Sequence, residues 1–314
     1  MMHRRGFLAG SAAIMTSGRM ALAQSIPVLE FLTAGPGSAF LPYGEGIANV
    51  VKSAGLLRLD VIQTKGSIEN LSSVEASPNR IATAFIGSAY EAINGIGPFA
   101  GRKHGNIRAI APMYETSFQI AAKASKGIGK LADLAGKRVG VGPAGGPAEA
   151  FFKGLAEITG LNASIVNGTS AELEAAYLSD AIDAFWQGAS IPIPALARVA
   201  NAVDSVVFGL NDAELDGMLK RFPYLAIGDV AANAYKGQPQ PIRSVAAWNV
   251  VIAHAALGDE NAYVLTREIL GSQSVVSSSS GAGAGTALAN ASKNRVVPWH
   301  PGAARFLREK GIAL

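Results

Sequence analysis

The sequence predicts an α/β protein of two domains, and three observations indicate this. Short runs rich in β-forming residues alternate with segments of helical spacing, the pattern of parallel βαβ units. Loops with Gly and Ser or Thr follow several of the runs. The chain has 314 residues, 49% of them hydrophobic, which suits two domains better than one. The predicted strands are VLEFL (28–32), LDVIQT (59–64), ATAFIG (82–87), RAIAPM (108–113), RVGVG (138–142), AIDAFW (181–186) and SVVFGL (205–210).

Start signals for helices lie between these strands. The predicted caps and first turns are Ser67 for a helix at 68–74, Thr169 or Ser170 for one at 171–178, and Pro301 for one that runs to Lys310. The low-complexity segment SSSSGAGAG (277–285) predicts a flexible surface connection, and no function is assigned to it.

Residues 1–23 have the features of an export signal of the twin-arginine type. Arg4 and Arg5 precede a weakly apolar run, and the small residues Ala21-Leu22-Ala23 predict cleavage before Gln24. A buried amphipathic first helix is the alternative, but Gly and Ser are poor helix formers. We therefore expect a periplasmic protein.

Charge and cysteine content exclude several kinds of partner. The chain carries 27 basic and 23 acidic residues, and removing the three arginines of the signal leaves 24 against 23. A protein this close to neutral, without a basic stripe, is not expected to bind nucleic acid. Since there is no cysteine, packing alone must stabilise the fold. The most apolar later stretch, 245–257, contains Asn249 and His254 and is too short to span a bilayer, so we expect a soluble protein, most simply a monomer.

No arrangement of residues indicates catalysis, a cofactor or a metal. His104, His254 and His300 lie far apart in the sequence, and the motifs of common hydrolases are absent. Glu69 and Glu91 could form a carboxylate pair, but both also suit ordinary positions on helices. The sequence therefore predicts a protein that is not an enzyme.

Two extended segments, FQIAAK (118–123) and VAAWNVVIAH (245–254), bracket the middle of the chain. Two strands that cross between domains form a hinge with a cleft beside it, which is the geometry of periplasmic proteins that close on a ligand. The predicted fold is therefore the bilobed periplasmic-binding-protein fold, type II-like, with two βα domains joined by two hinge strands. The predicted boundaries are 24–117 with 245–314 for lobe I and 118–244 for lobe II.

The loops after the strands predict where a ligand binds. They read TAGPGS, TKGS, GSAY, GPAGG and WQGAS, and each offers hydroxyls or bare backbone at the start of a helix. In an open parallel sheet such loops converge beyond the carboxyl ends of the strands. The first loop, TAGPGSAFLPYG, has Gly35 and Gly37 but Phe40 in place of the third glycine of a dinucleotide fingerprint, and it lacks the lysine of a P-loop. Free backbone N–H groups still favour an anion there.

Charged and aromatic residues near these loops are further candidates. Lys65 could attract an anionic ligand, although a solvated lysine at a strand end is the more common case. Rings at or beyond the loops could cover a small ligand and exclude water, and of these Phe185 fits the core best. The rings are Phe40, Tyr43, Tyr90, Phe185 and Trp186.

Motifs along the whole mature chain resemble the TAXI family of solute-binding proteins, the extracytoplasmic receptors of one class of TRAP transporter. The most specific are Gly66-Ser67-Ile68-Glu69-Asn70, Tyr90-Glu91-Ala92 and His300-Pro301-Gly302-Ala303. The Leu-x-Asp-Leu-x-Gly-Lys-Arg-Val run at 131–139 is shared with many other periplasmic binding proteins.

The resemblance implies a bilobed receptor that closes on a small organic anion, glutamate-like or a 2-oxo or dicarboxylic acid. It also implies delivery of that anion to a sodium-driven TRAP permease with fused subunits. The ligand-binding residues carried over by position are Gly35, Gly37, Ser38, Phe40, Ser67, Asn70, Ser88, Tyr90, Gly142, Gly145, Gly146, Phe185 and Trp186.

The chain also departs from the family pattern. The usual Gly-Thr or Ser-Gly-Thr sequences are replaced by Gly-Ser-Ala in the first loop and by Gly-Gly-Pro ahead of Glu149, where Pro147 removes an N–H. Gly87-Ser88-Ala89 replaces a common Gln-x-Asp. A ligand less charged or more apolar than glutamate is therefore expected. A receptor for an ABC importer of sulfonate, nitrate or a thiamine precursor, or for a sensor kinase, is the alternative.

Overall fold

A computed structural model describes residues 26–35, 38–271 and 281–314. The predicted export signal, Gly37 and residues 277–280 lie outside the described residues. The strands are β1 Val28–Leu32, β2 Arg58–Ile62, β3 Arg80–Phe85, β4 Ile107–Lys123, β5 Arg138–Gly140, β6 Ser164–Val166, β7 Ala184–Ala189, β8 Ser205–Phe208, β9 Leu225–Val230 and β10 Ile242–His254. The α-helices are α1 Phe40–Ala54, α2 Ser67–Glu75, α3 Ile86–Asn94, α4 Pro147–Thr159, α5 Ser170–Leu178, α6 Pro194–Ala202, α7 Asp212–Arg221, α8 Asp259–Gly271 and α9 Pro301–Glu309. Short 3₁₀ helices occupy Gly97–Phe99, Ala124–Lys126, Leu131–Leu134, Gly281–Gly285 and Leu288–Lys293.

The strands form one mixed sheet. Their order, within the part of the chain that the structure describes, is β2-β1-β3-β10-β4-β7-β5-β6, with β8 also paired to β4 and β9 to β10. The strands β1, β2 and β3 are parallel to one another, as are β5, β6 and β7. The two parallel groups lie on opposite sides of the antiparallel pair β4 and β10. The predicted α/β class is therefore confirmed.

The long strands β4 and β10 connect the two parts of the sheet. They pair with each other from Ile107 opposite His254 to Ser117 opposite Ala246, after which β4 continues along β7 and β8. The segments predicted as separate strands at 108–113 and 118–123 are thus one strand, which corrects that prediction. The polar residues between them stay extended, and the ladder shifts register beside Pro112, which has no N–H to donate.

Local signals predicted some helix starts and misassigned one. Thr169 caps α5 as predicted, in a reciprocal pair with Glu172: each side chain accepts from the other's backbone N–H. His300 caps α9 through Nδ1, which accepts from the Gly302 N–H at 3.3 Å. Ser67 does not cap α2, because it is the first residue of that helix and Gly66 takes the cap position at φ 101°.

Within the described residues, the core consists of three apolar clusters. One joins α2 and α3 to α4 and includes Leu71 and Phe151. A second packs α1 and α8 on the sheet with Ile47 and Leu265, and the third surrounds Leu196 of α6. The first cluster therefore connects helices from both parts of the sheet, and a cleft lies beside it. None of the described helices combines the length and the apolar character that crossing a membrane requires.

Candidate functional site: a cleft between two unlike walls

A cleft of about 780 Å³ lies between α2 and α3 on one side and α4 on the other. We call the first side the polar wall and the second the apolar wall. The polar wall consists of Lys65, Ser67, Ile68, Glu69, Ser72, Phe85, Gly87, Ser88, Glu91 and Pro98. The apolar wall consists of Gly145, Gly146, Pro147, Ala150, Phe151 and Tyr224.

The polar wall presents the first turns of two helices. Ser67 and Ile68 begin α2, and Gly87 and Ser88 lie in the first turn of α3. The Ser67 Oγ accepts a hydrogen bond from the Phe85 N–H at 3.0 Å, which joins the start of α2 to the end of β3. Because first-turn N–H groups have no acceptor within their own helix, both helices present donors and positive dipole ends here.

Asn70 lies behind this wall and connects three strand ends. Its Nδ2 donates to the carbonyls of Thr33 at 2.7 Å and Thr83 at 2.8 Å, and its Oδ1 accepts from the Thr64 hydroxyl at 2.7 Å. The residue is fully buried, and it is not among those that line the cleft. In this structure Asn70 positions the loops of the polar wall, and a ligand contact stays a prediction.

The apolar wall begins with a glycine turn and a proline. Gly145 has φ 75°, a conformation that favours glycine, and its N–H donates to the Glu149 Oε2 at 2.6 Å. Glu149 also pairs with Lys153 at 2.8 Å. The pKa of Glu149 is lowered, first by the Lys153 hydrogen bond and then by the Gly145 N–H. Since Pro147 has no N–H and the Gly145 N–H is already bonded, this wall offers a ligand fewer donors than the polar wall.

Aromatic rings connect the two walls. Tyr90 of α3 lies 5.4 Å from Tyr224, measured between ring centroids. Phe85 at the end of β3 lies 6.4 Å from both Tyr224 and Phe151. Burial raises the pKa of the Tyr224 phenol above its usual range, so the ring stays neutral at ordinary pH. The rings can cover the apolar part of a small ligand and exclude water from its polar contacts.

A smaller cavity of about 280 Å³ adjoins the cleft, and the two share Phe85, Gly146 and Pro147. Its other lining residues are Thr116, Phe118, Gly142, Pro143, Ala148, Gln187 and Gly188. Strands β4 and β7 therefore contribute to it, which places this cavity beside the long connecting strands. The two cavities form one region around the start of α4.

Three charged side chains line the cleft. The Glu69 Oε2 accepts from the backbone N–H of Lys65 at 2.9 Å, so this carboxylate has a local partner. Neither the Lys65 ammonium nor the Glu91 carboxylate makes a salt bridge or a side-chain hydrogen bond within the described residues. Burial raises the pKa of Glu91, which is half-buried. The described residues contain no cluster of three potential metal ligands.

The structure brings together five of the residues predicted to bind a ligand. Ser67, Ser88, Gly145 and Gly146 line the cleft, and Gly142 lines the smaller cavity, to which Gly146 also belongs. These residues come from three of the strand-exit loops, so the prediction that the loops converge agrees with this arrangement. Tyr90 lies next to the cleft through its contact with Tyr224.

The first loop, in contrast, does not line either cavity in its described residues. The Ser38 Oγ accepts from the Phe40 N–H at 3.2 Å, and the Phe40 ring packs 6.5 Å from that of Tyr114. Gly35 lies close to the Thr64 carbonyl, and Gly37 is outside the described residues. The role predicted for this loop stays a prediction.

Phe185 and Trp186 are fully buried rather than exposed to the cleft. They belong to β7, which lies between β4 and β5, and Phe185 packs in the cluster around Leu196. The Trp186 Nε1 donates to the Ala148 carbonyl at 2.9 Å, so this ring positions the first turn of α4. Their direct contact with a ligand stays a prediction.

Sequence reasoning missed three residues that shape the cleft. Phe85, Phe151 and Tyr224 come from a strand end, a helix and the start of β9, and their local patterns are those of ordinary core residues. The position of Phe151 in the second turn after the GPAGGP loop is the one available signal. The sequence offered Glu91 as half of a carboxylate pair with Glu69. In the structure Glu91 lines the cleft, and its carboxylate makes no salt bridge or hydrogen bond within the described residues.

Comparisons with known proteins agree on the fold. The model of the NMT1-like family matches residues 31–311. A TctC solute-binding protein from Polaromonas is 12% identical, with a TM-score of 0.58 over 92% of this chain and 96% of that chain. MatC from Rhodopseudomonas palustris with bound malate is 13% identical, with a TM-score of 0.52 over 91% and 97%. The bilobed periplasmic-binding-protein fold predicted from the sequence is confirmed.

Proposed function

The chain belongs to the NMT1-like family, and from this premise and the cleft we propose that it is a solute-binding receptor for a small organic acid. The observation that carries the proposal is the convergence of the first turns of α2, α3 and α4 on one cleft. Helix starts favour anions through their free N–H groups and dipoles. A carboxylate can be held there without a buried counter-charge.

The proposed receptor works by closure of two lobes, 24–117 with 245–314 and 118–244. The polar wall belongs to the first lobe, and the apolar wall belongs to the second. The strands β4 and β10 pass between them and serve as the hinge. A ligand bound to one wall gains contacts with the other on closure, and this difference in affinity favours the closed state.

The proposed partner is the sodium-driven permease of a TRAP-type importer, and the proposed location is the periplasm. The support is the similarity of the motifs at 66–70, 90–92 and 300–303 to the TAXI family, together with the twin-arginine pattern at the start of the chain. The structural neighbour MatC holds malate, a small organic acid. In this proposal the protein is a monomer and catalyses no reaction.

Thermal unfolding against a panel of acids tests ligand binding. The panel contains malate, succinate, 2-oxoglutarate and glutamate together with the monocarboxylic amino acids L-leucine and L-phenylalanine, and the corresponding amides serve as controls. At about a hundred times its dissociation constant, a ligand stabilises the native state by roughly 2.7 kcal/mol. We expect stabilisation by at least one acid and none by its amide. If neither these acids nor monocarboxylates of similar size stabilise the protein, the proposal is wrong.

Uptake measurements test the type of importer. The acid identified by thermal unfolding is supplied in labelled form to cells with and without this gene. A TRAP-type receptor predicts uptake that requires the gene and stops when the sodium gradient is dissipated. Uptake that persists without the gradient but stops on depletion of ATP would instead identify an ABC importer.

A further inference from the structure

The charges of the cleft are of both signs and lie on the same wall. Lys65 precedes α2, whereas Glu91 lies in the second turn of α3. Neither side chain has an ionic or hydrogen-bonding partner among the described residues, although both line the cleft. Two unpaired charges of opposite sign, too far apart to pair with each other, suit a ligand that carries both charges as well.

Glu91 lies in surroundings that make a cationic partner favourable. A Cβ placed on Gly97 would lie 3.2 Å from the Glu91 Cδ, so the carboxyl group packs against the turn that contains Pro98. Tyr224 faces it from the opposite wall, and the charge of Glu91 contributes to the raised pKa of that phenol. Arg221, whose charge lowers the pKa of the Tyr224 phenol, is paired with Glu157 at 2.9 Å. Within residues 26–35, 38–271 and 281–314, no side-chain cation forms a salt bridge with Glu91. A partly desolvated carboxylate gains most from a cation that a ligand supplies.

The other end of the polar wall has the opposite preference. The exposed ammonium of Lys65 and the N–H groups at the start of α2 favour a carboxylate. Glu69 reduces the positive potential there, but its Oε2 accepts from the Lys65 N–H and so is held at the entrance of the helix. One carboxylate can be accommodated at this end. A second carboxylate, reaching toward α3, would meet Glu91.

The surface between the two ends is apolar. Phe151 and Tyr224 lie across the cleft from the starts of α2 and α3. Phe85 lies directly before α3, and Ile68 and Pro98 complete this surface. A ligand with an aliphatic or aromatic body would bury that body against the rings on closure. The cleft, at about 780 Å³, has room for a body of this size.

From this arrangement, and resting on the proposed function as a receptor, we propose that the ligand is a zwitterion with an apolar body. Its carboxylate binds at Lys65 and the start of α2, its cationic amine binds Glu91, and its apolar body packs on Phe85, Phe151 and Tyr224. Glu91 is then the residue that selects against dicarboxylates. The proposal predicts a ligand with less net charge than malate or 2-oxoglutarate.

Titration calorimetry with three matched compounds tests the proposal on the full protein. L-phenylalanine carries an amine and a carboxylate, 3-phenylpropanoate lacks the amine, and benzylsuccinate has a second carboxylate in place of the amine. The aliphatic set L-leucine, 4-methylpentanoate and isobutylsuccinate provides the same comparison with a different body. In at least one set we expect the amino acid to bind tenfold or more tightly than its deamino counterpart, and the succinate to bind most weakly.

Variants assign the preference to Glu91. Glu91→Gln keeps the size of the side chain and removes its charge, and we expect it to weaken amino-acid binding by 10- to 100-fold and to remove the preference over the deamino acid. Glu45→Gln is the control, because Glu45 is an exposed glutamate of α1 that does not line the cleft, and we expect it to change the affinity by less than threefold. An amino-acid preference that is unchanged in Glu91→Gln, or a wild-type protein that binds a succinate most tightly, would overturn the proposal.

The outcomes separate this inference from the proposed function. If malate, succinate or 2-oxoglutarate binds and no member of the two matched sets does, the receptor function stands and the zwitterion proposal is wrong. If no acid of either panel binds, both are wrong. A circular dichroism spectrum of each variant that matches the wild-type spectrum excludes misfolding as the cause of a loss.

Discussion

The two walls of the cleft position their helices by different means. On the polar wall, side-chain hydrogen bonds fix the backbone: Asn70 joins three strand ends, and Ser67 joins α2 to the end of β3. On the apolar wall, ring packing dominates, since Phe151 contacts Phe118 at 5.0 Å and Phe222 at 5.1 Å between centroids. Each wall is thus built from the kind of interaction that it can offer to a ligand.

This difference indicates an order of events. The polar wall presents its donors and charges to solvent without the help of the other wall, so it can bind a charged ligand first. The apolar wall contributes mainly burial, which becomes favourable only when the cleft closes over the ligand. In the proposed receptor, the polar wall therefore controls which ligand is recognised, whereas the apolar wall controls how strongly the closed state is favoured.

The largest expected loss in the free energy of unfolding comes from a substitution on the apolar wall. Phe151 is 1% exposed and is surrounded by rings from both sides of the cleft. Phe151→Ala leaves a cavity there, and we expect a loss of about 3–5 kcal/mol in the free energy of unfolding, measured by urea denaturation. Ser72→Ala on the polar wall is the control, with an expected change within about 0.5 kcal/mol. A loss below about 1 kcal/mol for Phe151→Ala would contradict the role given to ring packing.

A smaller loss in the free energy of unfolding is expected from a substitution behind the polar wall. Asn70→Ala leaves the carbonyls of Thr33 and Thr83 and the Thr64 hydroxyl without these partners, and we expect a loss of about 2–4 kcal/mol. Asn94→Ala is the matched control, because Asn94 is exposed on α3 and its Nδ2 bonds only the Tyr90 carbonyl. Urea denaturation of both variants measures the difference. Equal effects for the two variants would mean that the bonds of Asn70 do not hold this wall together.

Much of the fold could be predicted where the signal was local. The strand VLEFL occupies 28–32 as predicted, because its pattern is bounded by a proline and a turn. The Thr169 cap needs only residues within one turn. The continuity of β4 was not predictable in this way, since it depends on pairing with β10, more than a hundred residues later. The burial of His104 was not predictable locally either: its neighbours in GRKHGN are mostly polar, which is typical of a solvated loop, yet the ring packs against Phe99 with 4.9 Å between ring centroids.

The cleft was predictable in its backbone and less so in its rings. Loops with Gly and Ser after a strand have a local signature, which identified Ser67, Ser88 and Gly146. Whether a ring lies in a cleft or in the core depends on what covers it. Trp186 is the last residue of a predicted strand that leads into a site loop, yet β4 and α4 enclose it. Tyr224, directly before β9, becomes part of the cleft through the position of that strand. Such coverage is a property of the tertiary packing and has no local pattern.

The smallest expected effect is that of removing the Ser67 hydroxyl, to which we assign both a stabilising bond and a contact with the ligand. The Ser67 Oγ accepts the Phe85 N–H, while its own proton has no acceptor among the described residues. Ser67→Ala removes both functions, and Ser72→Ala on the same helix removes a hydroxyl that bonds only the Ile68 carbonyl. We expect Ser67→Ala to lose about 1 kcal/mol of stability and, with the hydroxyl no longer available to a ligand carboxylate, roughly fivefold in affinity. We expect Ser72→Ala to change both the stability and the affinity by less than half as much as Ser67→Ala does.

The two losses for Ser67→Ala have separate causes, so they can be measured separately. Urea denaturation without ligand reports the bond to Phe85, and calorimetric titration of the folded variant reports the contact with the ligand. A loss of stability with unchanged affinity would mean that Ser67 only joins α2 to β3, and that the carboxylate lies closer to Ser88 or Lys65. A loss of affinity alone would mean that the Phe85 N–H finds another acceptor. Loss of both would support a polar wall in which one hydroxyl fixes the backbone and binds the ligand, a combination that ring packing on the apolar wall cannot provide.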